Sequence, residues 1–98
     1  LAAAEARRTI ALNPSHARAH NLLGAALASL GQTEQARTAF QQSLAANGRD
    51  PATYTNLATL ELQAGNRDLA QRYYAEALTL DPTHGPAREG LAQLGYPK

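Results

Sequence analysis

Apolar and small residues recur every three or four positions along most of this chain, the spacing that brings side chains onto one face of an α-helix. The clearest stripe consists of Ala70, Tyr73, Tyr74, Ala77 and Leu78. The pattern predicts six helices, over residues 1–12, 16–30, 34–46, 51–64, 67–80 and 86–94. Valine is absent and isoleucine occurs once, and this shortage of β-branched apolar residues argues against a sheet.

The residues between these segments favour helix ends. Ser15, Thr33 and Asp50 each precede a periodic segment, so we expect their side-chain oxygens to cap the helices that follow. Gly31 and Gly65 follow the second and fourth segments, where a left-handed residue commonly ends a helix. The predicted helices are therefore separate elements joined by short turns.

The helical pattern repeats after 34 residues. Five pairs of similar residues have this separation: Leu23 and Leu57, Gly31 and Gly65, Ala36 and Ala70, Phe40 and Tyr74, and Leu44 and Leu78. Pro14 and Pro82 are separated by 68 residues, which is two such periods. A 34-residue period made of two helices and a turn is typical of tetratricopeptide repeats.

Several short motifs strengthen the resemblance to the tetratricopeptide repeat family. They are Leu23-Gly24 and Leu57-Ala58, the G-x4-A spacings at residues 31–36 and 65–70, and A-L-x-L-D-P at residues 77–82. The chain resembles this family over essentially its whole length. The resemblance implies an all-α αα-hairpin superhelix, the TPR solenoid, with the second helix of a truncated repeat at 1–16, full repeats at 17–50 and 51–84, and a capping helix at 85–98.

Three positions depart from the family pattern. Ser43 stands where the second repeat has the small Ala77, and His20 stands where Tyr54 supplies the usual large aromatic residue. Glu61 occupies a position where the family favours an aromatic or aliphatic side chain. We expect these departures to loosen packing locally without changing the fold.

The resemblance also implies a binding site. In this family the first helix of each pair lines a concave groove that binds peptides or partner helices. The corresponding candidates here are Arg18, Asn21, Thr55, Asn56, Thr59, Leu62 and Gln63. The amide of Asn56 offers both a donor and an acceptor to an extended peptide. Alternatively, Asn56 is a solvated polar residue or bonds its own neighbours, and Leu62 is a partly buried packing residue.

Composition excludes several other functions. The net charge is +1 with the signs interspersed, so there is no basic tract for nucleic acid. No apolar run approaches the ~18 residues of a membrane span, and we expect no membrane insertion.

His16 and His20 lie one helical turn apart, but no cysteine or carboxylate cluster completes a metal site. We expect no metal, no cofactor and no catalytic residues. Some members of the family bind an acidic C-terminal carboxylate with paired lysines. The single lysine here, Lys98, lies outside the repeats and argues against such a site.

The sequence therefore predicts a protein–protein interaction scaffold whose partner is a protein or peptide, without catalysis of its own. One alternative is a regulatory or substrate-recruiting arm of a larger enzyme, such as a glycosyltransferase. Another is a self-assembly module, associating through the alanine-rich N-terminal helix. We expect the contacts of this helix around Ala3, Ala6 and Ile10 to be left open. Since the chain lacks methionine and opens inside a helix, we expect it to be part of a longer protein with further repeats before Leu1. The excess of arginine over lysine suggests a bacterial source, and leaves cytoplasm and periplasm open.

Overall fold

A computed structural model describes residues 2–95, and the described part of the chain is all-α. It contains six helices: α1 (Ala2–Leu12), α2 (Ala17–Ser29), α3 (Thr33–Ala46), α4 (Pro51–Gln63), α5 (Arg67–Leu80) and α6 (Gly85–Gln93). The helices form two compact units, an N-terminal unit over residues 1–48 and a C-terminal unit over residues 49–98. The predicted helical-hairpin fold is thereby confirmed, with α2 and α3 forming one hairpin and α4 and α5 the next.

The ends of the helices agree with the sequence at three of the five cap positions discussed above. Gly31 and Gly65 have φ angles of 79° and 91°, so both are the left-handed residues expected there. The Asp50 carboxylate accepts a hydrogen bond from the Ala52 N–H at 3.0 Å and caps α4. The α4 helix then starts with Pro51, whose fixed φ suits the first helical position.

Two cap predictions were wrong, and the starts of α2, α3 and α6 each differ by one residue from the prediction. The α2 cap is His16 rather than Ser15, because the His16 imidazole Nδ1 accepts the Ala19 N–H at 3.2 Å. Thr33 is the first residue of α3, and the residue before it, Gln32, makes no side-chain cap bond. Imidazole is an uncommon cap, so a rule based on Ser, Thr, Asp and Asn overlooks His16. The last helix begins at Gly85, one residue before the predicted Pro86.

In the N-terminal unit, an aromatic ring packs directly on a glycine. Phe40 is 1% exposed, and a Cβ added at Gly24 would lie 2.6 Å from two atoms of its ring. Ala36 is fully buried, as expected for an alanine that lets two helices approach. Ser43 is also fully buried, and its hydroxyl donates to the Ala17 carbonyl of α2 at 2.8 Å. This bond compensates for the polar group at a position where the second repeat has alanine.

In the C-terminal unit, small and large residues of three helices form one apolar cluster: Ala58 of α4, Ala70, Tyr74 and Ala77 of α5, and Ala87, Leu91 and Leu94 at α6. The Tyr74 ring lies against Gly90, where an added Cβ would overlap it. The outer positions of α6, Arg88, Glu89 and Gln93, are exposed. Leu91 and Leu94 therefore lie in the apolar cluster, and the polar side chains of α6 face solvent.

The expectation that α1 leaves Ala6 uncovered was wrong. Ala6 is 4% exposed, while Ala3 and Ile10 are half-buried. Alanine is small enough that packing along α2 covers it without a further helix, since it presents little surface beyond its Cβ. Among residues 2–95, the structure contains no helix long and apolar enough to cross a bilayer.

Candidate functional site

Five of the seven predicted binding residues lie on one face of α4. They are Thr55, Asn56, Thr59, Leu62 and Gln63, called here the α4 stripe. Their separations of three, four and seven residues bring them into line on one side of a helix. The only ionisable carboxyl group of α4 belongs to Glu61, which is 1% exposed. The helix therefore offers polar groups to solvent but no charge.

The members of the α4 stripe differ in exposure. Thr59 and Gln63 are exposed, Asn56 and Leu62 are half-buried, and Thr55 is only 8% exposed. The Thr55 hydroxyl is buried without a hydrogen-bond partner among the described residues. Thr55 therefore lies at the buried edge of the stripe, and Thr59 and Gln63 are its most accessible side chains.

Core packing holds two stripe residues in place. The Thr59 hydroxyl shares a hydrogen bond of 2.9 Å with the Tyr74 hydroxyl of α5, so its position is tied to a core aromatic residue. Leu62 packs against the apolar cluster of the C-terminal unit. Leu62 is thus a packing residue with a partly accessible side, in line with the alternative stated for it.

Asn56 already takes part in an interaction within the chain. Its amide has one carbonyl oxygen with two acceptor positions and two N–H donors. The side chain therefore has a role within the structure, and its binding role stays a prediction.

In the N-terminal unit, Arg18 and Asn21 lie three residues apart on α2. Arg18 is exposed and lines a groove of about 220 Å³ between α1 and α2, whereas Asn21 is half-buried and makes an internal contact. The same groove includes Leu22, which is 51% exposed. Sequence analysis missed Leu22, although it stands 34 residues before Asn56 and so marks the same repeat position.

Two histidines, His16 and His20, stabilise local structure. His16 caps α2, as described above, and the His20 Nε2 lies 2.8 Å from the Pro14 carbonyl oxygen. His20 is 6% exposed, so its ring is a packing group with a satisfied nitrogen. Within residues 2–95, no group of three or more histidine, cysteine, aspartate or glutamate side chains is arranged to hold a metal ion.

A buried carboxylate distinguishes the second repeat from the first. Glu61 is 1% exposed and occupies the position of Leu27, which is 3% exposed. The Asn66 amide donates to a Glu61 carboxylate oxygen at 2.8 Å. This bond occupies the Asn66 side chain, which consequently makes no cap bond to α5. The sequence marked Glu61 as unusual, but its partner became visible only in the structure.

One exposed carboxylate has a shifted pKa. The Thr83 hydroxyl donates to Asp81 at 2.8 Å and the Thr83 backbone N–H donates to the same oxygen at 3.1 Å. These bonds, together with the nearby His84, lower the pKa of Asp81 by stabilising its charged form. The arrangement stabilises the turn between α5 and α6.

Comparison with known proteins agrees with this architecture. Two family models described as tetratricopeptide repeat match residues 1–51 and 51–94. The chain belongs to the tetratricopeptide repeat family. Tetratricopeptide repeats generally serve as protein-interaction modules rather than catalytic domains.

Relatives of this tetratricopeptide domain come from diverse proteins. The probable biofilm formation methyltransferase WspC of Pseudomonas aeruginosa is 40% identical over 70 residues, which are 71% of this chain and 17% of WspC. The chain thus spans less than a fifth of that relative's length. The Arabidopsis OM64 TPR domain superimposes with a TM-score of 0.90 at 19% identity, covering 95% of this chain and 77% of the solved OM64 domain. PcrH was solved in complex with the chaperone binding region of PopD. It superimposes with a TM-score of 0.76 at 26% identity, covering 92% of this chain and 68% of the PcrH chain.

Proposed function

We propose that this tetratricopeptide domain is an interaction module that binds an extended peptide or a partner helix. In the C-terminal unit the ligand contacts the α4 stripe, and in the N-terminal unit the candidate contact residues are Arg18 and Asn21 of α2. The domain performs no catalysis of its own. The observation that carries the proposal is the chemistry of α4, which presents hydroxyl and amide groups to solvent while its carboxylate is buried.

The α4 stripe suits a backbone-binding role. Asn56 and Gln63 can each donate to a peptide carbonyl and accept from a peptide N–H. Leu62 adds an apolar contact between them. Because its neighbours pack it against the core, little side-chain entropy is lost when it is covered.

The absence of an exposed charge on α4 determines the ligand class we expect. A neutral or mildly apolar peptide fits this surface better than an acidic or basic one. Support for a peptide ligand comes from PcrH, a relative of similar fold whose structure contains a region of PopD. The partner of this domain is a separate question, which the sequence of a selected peptide would answer.

Selection from a random peptide library with the full chain tests the proposal. Selected peptides should lack strong net charge, and their affinity should change little between low and high salt, because salt screens exposed charge pairs. A counter-selection against the double variant Asn56→Ala/Gln63→Ala should remove them. Peptides that are strongly acidic, and whose affinity falls steeply with salt, would contradict the proposed chemistry.

A second candidate function is a recruiting arm of a larger enzyme. It is favoured by the similarity to WspC, a protein named as a methyltransferase, of which the matched segment is a small part. In that role the α4 stripe would bind a protein substrate or a regulator. Sequencing the gene on both sides of the region that encodes this domain tests this candidate, which fails if no catalytic domain is encoded in the same reading frame.

A further inference from the structure

A second groove lies in the N-terminal unit, away from the candidate residues Arg18 and Asn21. It is bounded by α1, α2 and α3, has a volume of about 530 Å³, and is lined by apolar residues including Ile10, Leu23 and Leu27. Ligand pockets in proteins commonly have volumes of about 300–1,000 Å³. The groove is therefore large enough to hold a side chain of a binding partner.

The comparison between the two repeats explains why the groove is open. In the C-terminal unit, the rings of Tyr54 and Tyr73 lie 6.1 Å apart at 37° and pack against the apolar cluster. The residues 34 positions earlier are His20 and Ala39, and both line the groove. Ala39 has no ring to fill the space, and the bond from the His20 ring to the Pro14 carbonyl holds that ring at the groove wall. The first repeat thus lacks the aromatic pair that the second repeat contains.

The residues of the described chain that line the groove include a positively charged side chain and no negatively charged one. Arg7 is exposed and lines it, while the described residues around it include no carboxylate. Gln35, Thr38 and Gln42 add hydrogen-bonding groups on the α3 side. An occupant that carries a negative charge beside an apolar group therefore complements this surface better than a cationic one.

We propose that this groove binds an aromatic side chain of a partner peptide with a carboxylate on the adjacent residue. The ring fills the space above Ala39, and the carboxylate pairs with Arg7. An aromatic ring fits because Tyr73 occupies the equivalent position in the second repeat, and an acidic neighbour fits because the exposed Arg7 lines the groove. The site is separate from the α4 stripe and does not depend on peptide binding there.

Titration of the isotopically labelled full chain with three small probes tests the proposal by NMR. The probes are acetyl-Tyr-Glu-amide, acetyl-Leu-Glu-amide and acetyl-Tyr-Gln-amide. The first should shift the amides around Leu23 and Ala39, and the leucine probe should bind more weakly, because the aromatic ring buries more surface and packs more rigidly. The neutral probe should lose about two- to fivefold in affinity, as an exposed ion pair contributes little, and the Arg7→Gln variant should abolish this difference.

A substitution that fills the groove with a side chain of the protein itself provides a second test, with a matched control. Ala39→Tyr places in the first repeat the residue that the second repeat has, and it should reduce affinity for acetyl-Tyr-Glu-amide by about tenfold or more, as the probe contacts are replaced. Ala46→Tyr makes the same change at an exposed position of the same helix, and it should leave binding unchanged. Gln35→Trp, at an exposed position on the edge of the groove, is a second blocking variant that does not require burial.

Several outcomes would overturn the proposal. One is undiminished binding of acetyl-Tyr-Glu-amide to both Ala39→Tyr and Gln35→Trp. Another is equal affinity for the leucine and tyrosine probes, which would remove the argument for a ring. Shifts of the same amides on raising the protein concentration without any probe would show that a second copy of the chain is the occupant. Unfolding of Ala39→Tyr would show that the space is smaller than a ring.

Discussion

The contact between Gly24 and Phe40 gives the sharpest prediction about stability. A Cβ at residue 24 would lie 2.6 Å from two carbons of the buried Phe40 ring, whereas ordinary contacts are 3.4–4 Å. An aromatic ring that is 1% exposed cannot move aside as a flexible chain would. The Gly24→Ala variant should therefore overpack the contact, at a cost of about 2–3 kcal/mol, in the upper part of the usual range.

An opposing effect reduces the net cost. Alanine is favoured over glycine in a helix interior by about 1 kcal/mol. The variant should thus lose about 1–2 kcal/mol in its free energy of unfolding. For a domain of this size, that corresponds to a decrease in Tm of about 5–15 °C.

Thermal and urea unfolding followed by circular dichroism measures this loss. Ala25→Gly is the matched control, because residue 25 is the exposed neighbour in the same helix and reports the propensity difference alone. In a Phe40→Leu background, Gly24→Ala should be neutral or stabilising, since the ring has been removed. The reasoning would be refuted if Gly24→Ala raised the stability of the wild-type chain by the amount that Ala25→Gly lowers it.

Three further predictions concern polar groups. Asn66→Ala should destabilise the fold by about 1.5–3 kcal/mol because it removes a hydrogen-bond donor from the buried Glu61 carboxylate. Gln32→Ala, at the equivalent position of the first repeat, should cost little in the same unfolding assay. Equal effects of the two substitutions would contradict a stabilising role of the bond between Asn66 and Glu61. Ser43→Ala should cost about 1 kcal/mol by removing its bond to α2, and an unchanged urea midpoint would show that the bond contributes nothing. Thr83→Ala should raise the pKa of Asp81 in an NMR titration, and an unchanged pKa would rule out Thr83 as the cause of the shift. In the wild type, the stabilisation that Asp81 contributes should be present above the ordinary aspartate pKa and lost as the pH falls through the lowered value.

Local patterns predicted the elements of this fold, because each depends on residues close together in sequence. The 34-residue spacing also predicted the buried alanines and aromatic residues, since equivalent positions face equivalent neighbours. Ala36, Ala70 and Ala77 are all fully buried, as the repeat comparison required. Helix existence and the interior face of each helix were therefore accessible without a structure.

The polar details were not accessible in this way. The bond from Ser43 to the Ala17 carbonyl joins residues 26 apart, and its formation depends on how closely two helices pack. The exposure of each side chain of the α4 stripe could not be predicted from the sequence either. A helical projection places Thr55 with Thr59, but the burial of its side chain depends on packing around the helix. The open groove could have been inferred from the replacement of Tyr73 by Ala39 at the equivalent position.

The affinity of one selected peptide for three forms of the chain tests the central claim most directly. Isothermal titration calorimetry should be performed on the wild type, on Asn56→Ala, and on Gln71→Ala, which alters a half-buried amide on α5 instead of α4. Loss of one or two hydrogen bonds to a peptide backbone should weaken binding to Asn56→Ala by about 1–3 kcal/mol, or about five- to 150-fold. Gln71→Ala should bind as the wild type does. Equal affinities for the wild type and Asn56→Ala, with both variants folded, would contradict binding at the α4 stripe.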